Sequence, residues 1–141
     1  MIRTITFNEK DLIEQDPVRP HIPFEKRIGN GRSIAVLEND NRIDAIVCYA
    51  LCKDVPLTEQ EMFDMADPEG AVCVAYTVWS YSKGAGRTII NELRETAQVL
   101  YSLRRIVTLS PLTEMAERFH LSNGARFLRK GDSCQNFEYE L

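Results

Sequence analysis

The chain has 141 residues, 44% of them hydrophobic, with 17 basic against 21 acidic side chains and a net charge of -4. That length suits one domain over residues 1–141, and the apolar content suffices for a core without metal or disulfide staples. The mild acidic excess excludes a general basic footprint for nucleic acid, and no stretch approaches the roughly 20 apolar residues that span a bilayer.

In chain order, residues 2–7 alternate weakly and read as a first strand. Asn8 is the expected N-cap of a short helix reaching Gln15. Pro17, Pro20 and Pro23 then forbid a regular helix, because each removes a donor and biases its neighbour to extended backbone. A helical turn is expected near 24–28, then a turn at Gly29-Asn30-Gly31. Residues 33–38 and 43–52 read as strands joined by the loop Asn39-Asp40-Asn41, and so short a loop requires antiparallel pairing. The second of these is almost continuously apolar, as a strand buried on both faces should be.

Pro56 and Thr58 open a short helix ending near Met65, with Glu61 as capping partner. Residues 71–78 read as a central strand, with Val72, Val74, Tyr76 and Val78 on one face and Ala71, Cys73, Ala75 and Thr77 on the other. Next comes the clearest helix, in which Ile89, Ile90, Leu93, Ala97, Leu100 and Tyr101 recur at three- and four-residue steps. Residues 106–109 form a short strand. Ser110 and Pro111 are expected as N-cap and first residue of a last helix, with Leu112, Met115, Ala116 and Phe119 inward and Asn123-Gly124 closing it. Residues 127–129 and 134–141 finish the chain as strands. The strand-helix-strand unit in the middle implies a parallel pair with a right-handed crossover, hence a mixed α+β sheet.

Cys48, Cys52, Cys73 and Cys134 form no Cys-x-x-Cys pair and have two histidines for company, so they read as reduced apolar thiols and no metal site is expected. With no leader-like N-terminus, the chain reads as soluble and cytoplasmic.

The segment Lys83-Gly84-Ala85-Gly86-Arg87-Thr88 lies between the central strand and the clearest helix. Glycine lets backbone approach an anion, the first helical N–H groups lack intrahelical partners, and Lys83 and Arg87 add positive charge. A Gly-x-Gly alone is a weak signal, and a plain strand-to-helix turn explains it equally well. It is neither a Walker A loop nor a Rossmann fingerprint.

Two stretches in register resemble the GNAT superfamily of N-acetyltransferases. Tyr81-Ser82-Lys83-Gly84-Ala85-Gly86 stands where the family has Arg/Gln-x-x-Gly-x-Gly/Ala, after the fourth strand. Further on, Thr113-x-x-Ala116-x-x-Phe119-His120-x-x-x-Gly124-Ala125 stands where it has Asn-x-x-Ala-x-x-Phe-Tyr-x-x-x-Gly-Phe. The stretch from Thr77-Val78-Trp79-Ser80 to the glycines is similar to small phage-encoded members.

The resemblance implies a GNAT fold: a mixed sheet of about six or seven strands, flanked by helices and splayed between the fourth and fifth. It implies acetyl-CoA as cosubstrate, with backbone of Tyr76, Thr77 and Val78 on the pantetheine. Tyr81 and the amides of Ser82, Lys83, Gly84, Ala85, Gly86, Arg87 and Thr88 would lie on the pyrophosphate, and Thr113 and Phe119 beside the cofactor. It further implies direct transfer of acetyl to the primary amine of a small molecule or protein. An amine of pKa ~10.4 is neutral about once in 2,000 at pH 7, so a base or water relay is required.

Four residues depart from the pattern: Tyr81, Thr113, Ala125 and, where the family has the tyrosine that protonates the leaving thiolate, His120. Two readings of His120 stand, a catalytic acid and a packing residue. No carboxylate lies in the fourth or fifth strand, and Asp67, Glu69 and Glu138 read as solvated. A weak or inactive module that binds CoA or a protein partner is therefore the alternative, and a homodimer through the last strand stays open.

Overall fold

A computed structural model describes residues 2–141. Its strands are β1 (Ile2–Thr4), β2 (Arg32–Asn39), β3 (Arg42–Cys52), β4 (Val72–Ser80), β5 (Arg105–Thr108), β6 (Ser110–Pro111), β7 (Arg126–Lys130) and β8 (Cys134–Tyr139). Helices are α1 (Glu59–Met65), α2 (Ala85–Val99) and α3 (Glu114–Ser122), with 3-10 helices at Phe7–Gln15 and Phe24–Arg27. The described residues build one eight-stranded sheet in the order β1-β2-β3-β4-β5-β8-β6, with β7 on the far side of β8. β4 and β5 are parallel and the other pairs antiparallel, so the crossover through α2 forms the expected mixed sheet.

Two apolar layers cover the sheet. One joins Ile34, Val36, Ile46, Cys48, Val74 and Tyr76 to α1 and the 3-10 helices. The other joins Ala35, Val47, Tyr49, Cys73 and Ala75 to Ile89, Ile90 and Leu93 of α2. β3 is buried from Asp44 to its end, because both layers need it. The β2–β3 turn is Asp40-Asn41 with φ of 51° and 63°, the left-handed pair that matches strand twist.

Local chemistry moved several boundaries. Thr6, not Asn8, caps the first 3-10 helix, because Glu9 three residues on completes a reciprocal capping box. Ser110 and Pro111 belong to a strand paired with Cys134 and Gln135, and Thr113 caps α3 by accepting from the Ala116 N–H at 3.2 Å. Leu100 lies one residue beyond α2 and is 72% exposed, so the inward stripe ends at Ala97 before Tyr101 packs back. Leu112 and Met115 do not enter the core either; Met115 is 81% exposed. Glu138 is not solvated: it is buried against Arg105 and Arg126 at 2.9 and 3.2 Å, and the Arg105 hydrogen bond lowers its pKa.

The largest departure is in β4. Ala75 pairs with Tyr49 and Thr77 with Cys48, so Tyr76 is an extra residue, a bulge. Beyond it the alternation inverts. Trp79 joins the layer of Val74 and Tyr76, whereas Val78 packs with the α2 layer.

Candidate functional site

β4 and β5 stay together over four residue pairs, Val72 with Arg105 through Ala75 with Thr108. The last tie is the Leu109 N–H donating to the Ala75 carbonyl at 2.9 Å. Past this point β4 carries its bulge, and β6 continues from β5 along β8. The strands part, and a cavity of about 670 Å³ opens between them. Residues 75–80 form one wall; Ser110, Pro111, Thr113, Met115, Ala116, Phe119 and His120 form the other. Gly86 lies at one end and Pro17 with Val18 at another. The apolar face of α3 expected in the core is thus a cleft wall, which explains the exposure of Met115. No Asp, Glu, Lys or Arg is among the described residues lining the cleft.

The glycine segment sits at the Gly86 end. Gly84 caps α2 with φ +82°, a left-handed geometry that side chains disfavour, and an added Cβ would meet open space. Gly84→Ala is therefore expected to cost about 1–2 kcal/mol of stability from backbone strain alone, measured by denaturant titration. Ala85 and Thr88 donate inside the turn, to the Ser82 and Gly84 carbonyls, both at 3.1 Å. Among the described residues, the N–H groups of Gly84, Gly86 and Arg87 meet no protein acceptor. The first turn of α2 thus presents free donors at the positive end of a 15-residue helix, and Lys83 and Arg87 are exposed around it. At Gly86 an added Cβ would lie 3.1 Å from the Phe119 ring, so glycine lets α2 and α3 meet and brings the two sequence motifs into contact.

Other expected residues are held elsewhere. Tyr81 donates its N–H to the Asp44 carbonyl at 2.7 Å and its hydroxyl to Gln15 Oε1 at 2.5 Å, and accepts from Trp79 Nε1 at 3.0 Å. Its side chain turns toward the N-terminal 3-10 helix. Ser82 Oγ donates to Asp44 Oδ1 at 2.9 Å; hydrogen bonds from Arg42, then Asn39, hold that carboxyl down at about 2. The Tyr76 carbonyl accepts from the Arg19 guanidinium, and the Thr77 hydroxyl donates to Asp16 at 3.0 Å. Thr113 caps α3 at the cleft wall.

Sequence reasoning missed the layer behind these contacts. Asp16 and Arg19, in what reads as a proline-rich loop, and Arg27, in the helical turn that follows it, are all buried. Arg27 is 0% exposed; it donates to Asp16 Oδ2 at 2.8 Å and to the carbonyls of Ile22 at 2.9 Å and Arg19 at 2.6 Å. Asp16 Oδ1 accepts from the N–H groups of Val18 and Arg19. Desolvation pushes the Asp16 carboxyl up, but the Arg19 N–H and Arg27 outweigh it and hold it below its usual value. The network locks residues 16–28 against β4 and sets Pro17 and Val18 at the cleft. The available signal, an aspartate and two arginines among prolines, resembles that of any solvated loop.

His120 is 6% exposed, stacked on Phe137 at 5.5 Å with the Phe119 ring edge-on at 5.1 Å. Its Nδ1 lies 2.8 Å from Tyr139 Oη. Burial pulls its pKa down to about 4, so the imidazole is neutral at pH 7.

No protein-family model matches the chain, and no curated protein matches it. Solved structures do match in fold. The loading GNATL domain of CurA from Lyngbya majuscula aligns with a TM-score of 0.74 at 14% identity, over 99% of this chain and 96% of that one. The GphF GNAT-like decarboxylase in complex with isobutyryl-CoA gives 0.72 at 12%, over 99% and 98%. A GNAT family acetyltransferase from Elizabethkingia anophelis with acetyl-CoA bound gives 0.64 at 12%, over 100% and 97%. The class this chain shares with them is the GNAT fold.

Proposed function

We propose that residues 1–141 act as one domain that binds an acyl-CoA in the β4–β5 cleft and transfers acetyl from acetyl-CoA to a primary amine. The observation that carries this is the free N-terminal turn of α2, with Lys83 and Arg87, at one end of a cleft between two parted strands. In this reading the amides of Gly84, Gly86 and Arg87 hold the pyrophosphate, assisted by those of Ser82 and Lys83. The pantetheine runs along β4 past Val78, with Thr113 and Phe119 opposite. Because Arg19 and Asp16 already hold the Tyr76 carbonyl and the Thr77 hydroxyl, those two groups shape the wall rather than grip the ligand, and Tyr81, its hydroxyl held by Gln15, lies outside the cleft wall. The amine nitrogen attacks the thioester carbonyl, the C–N bond forms, the C–S bond breaks, and the ammonium proton ends on the thiol through water. A soluble cytoplasmic setting suits this reading.

Calorimetry with acetyl-CoA tests it, followed by thiol release across an amine panel. Charge reversal at exposed Lys83 and Arg87 leaves the core untouched and is expected to weaken binding about tenfold or more at low salt. No heat at millimolar acetyl-CoA would sink the proposal.

One observation favours a second reading. The described cleft walls hold no carboxylate or amine to serve as base, and the fold is shared with a GNAT-like decarboxylase. Loss of CO2 from a malonyl-type thioester needs no amine acceptor and no base. The Cα–carboxylate bond breaks, its electron pair enters the thioester enolate, and water returns a proton to carbon. An apolar cleft favours that step by stripping water from the carboxylate. CO2 release from malonyl-CoA, without thiol release, distinguishes the two.

A further inference from the structure

His120 carries one ring nitrogen toward Tyr139 and the other toward the cleft. Nδ1 is 2.8 Å from Tyr139 Oη. Nε2 meets no protein partner among the described residues, yet it is not among the sealed, partnerless polar atoms, of which Tyr76 Oη is the described example. Since the residue lines the cleft, Nε2 opens into it.

The direction of the Nδ1–Oη bond follows from which hydrogens are satisfied. Tyr139 is 1% exposed and its hydroxyl has Nδ1 as its hydrogen-bond partner among the described residues. If Nδ1 carried the proton, the phenol hydrogen would be buried without an acceptor, a loss comparable to a whole hydrogen bond. If the phenol donates, both hydrogens are served: its own reaches Nδ1, and the imidazole's sits on Nε2, where water or a ligand accepts it.

We infer that Tyr139 is a positioning residue whose hydroxyl donates to His120 Nδ1, fixing the Nε2–H tautomer and making His120 a neutral hydrogen-bond donor to an acyl thioester in the cleft. The use of that donor rests on the acyl-CoA reading above; the tautomer does not. Both reactions considered there develop negative charge on the thioester oxygen, and a donor aimed in advance stabilises it without moving a proton. The surroundings preserve neutrality. Phe119 and Phe137 flank the ring, an apolar setting that disfavours an added charge, and the Arg94 guanidinium of α2 lies over the Tyr139 ring, 5.4 Å from its centre. Tyr139 itself stays a phenol, its pKa raised by burial.

Nitrogen-15 NMR of histidine-labelled protein tests this, with His21→Asn assigning the two residues. From pH 5.5 to 8 the expected His120 spectrum is a protonated Nε2 and a bare, hydrogen-bonded Nδ1, unchanged with pH. A protonated Nδ1 in the wild-type protein overturns the inference without any variant. Tyr139→Phe keeps the ring and removes the donor. It should mix the tautomers and lower turnover about tenfold, with acetyl-CoA affinity within about twofold of wild type. An Nε2–H tautomer as pure in Tyr139→Phe as in wild type would overturn the role of Tyr139. Absence of acyl-CoA binding would instead sink the function proposed above, while the spectrum would still decide the tautomer.

Discussion

Replacing Arg27 by methionine should lower folding stability by about 3–5 kcal/mol, read as a fall in the denaturation midpoint at unchanged slope. The side chain is fully buried, and its guanidinium is the ion-pair partner of buried Asp16. Methionine of similar length fills the space but leaves the Asp16 charge without its counter-ion, and it strands the carbonyls of Ile22 and Arg19. Removing both charges, as in Arg27→Met with Asp16→Leu, should recover part of the loss, because the desolvation penalty goes with the ions. Recovery stays incomplete, since Asp16 also accepts from Thr77 and two backbone N–H groups. The single variant should also weaken ligand binding, because the network seats Pro17 and Val18 at the cleft. A loss under about 1 kcal/mol would show the pair to be dispensable.

Stability should also fall as pH drops from 6.5 toward 4, by about 3 kcal/mol in total, through His120 alone. The sign follows from proton uptake. The unfolded chain protonates this imidazole near 6.5, whereas the folded one resists until about 4. Between those values the unfolded state binds more protons, so acid favours it, and above 6.5 the contribution is level. Carboxylates act lower: Glu9 is held at about 2 by Arg3, and Asp16 and Glu138 also lie below their ordinary values. Their losses begin below about pH 5. His120→Gln should therefore flatten the curve between 6.5 and 5 and leave the steeper acid limb. A wild-type protein equally stable at pH 7 and 5.5 would contradict the buried neutral imidazole.

These two residues mark the reach of sequence reading. His120 is conspicuous, because it stands in a recognisable helix pattern at the place of a tyrosine. Arg27 is invisible, because a charged residue in a short turn beside a proline-rich loop looks solvated whichever way the segment folds. The helix boundaries show the same division. Thr58 caps where local chemistry says it should, since a cap is satisfied within four residues. Ser110 and Pro111 have equally good capping chemistry, yet β8 draws them into the sheet.

Local pattern thus determined the order of strands and helices apart from β6, the antiparallel β2–β3 hairpin, the parallel crossover through α2 and the glycine turn that opens it. Each depends on contacts or periodicities within a few residues. Tertiary structure alone decided the bulge at Tyr76, the resulting exchange of faces by Val78 and Trp79, and the conversion of the apolar side of α3 from core to cleft wall, while the parting of β4 from β5 was implied by the resemblance of the two motifs and not by local pattern. A bulge is set by pairing across strands, and an apolar helix face looks the same in sequence whether a packed side chain or an open cleft lies opposite it.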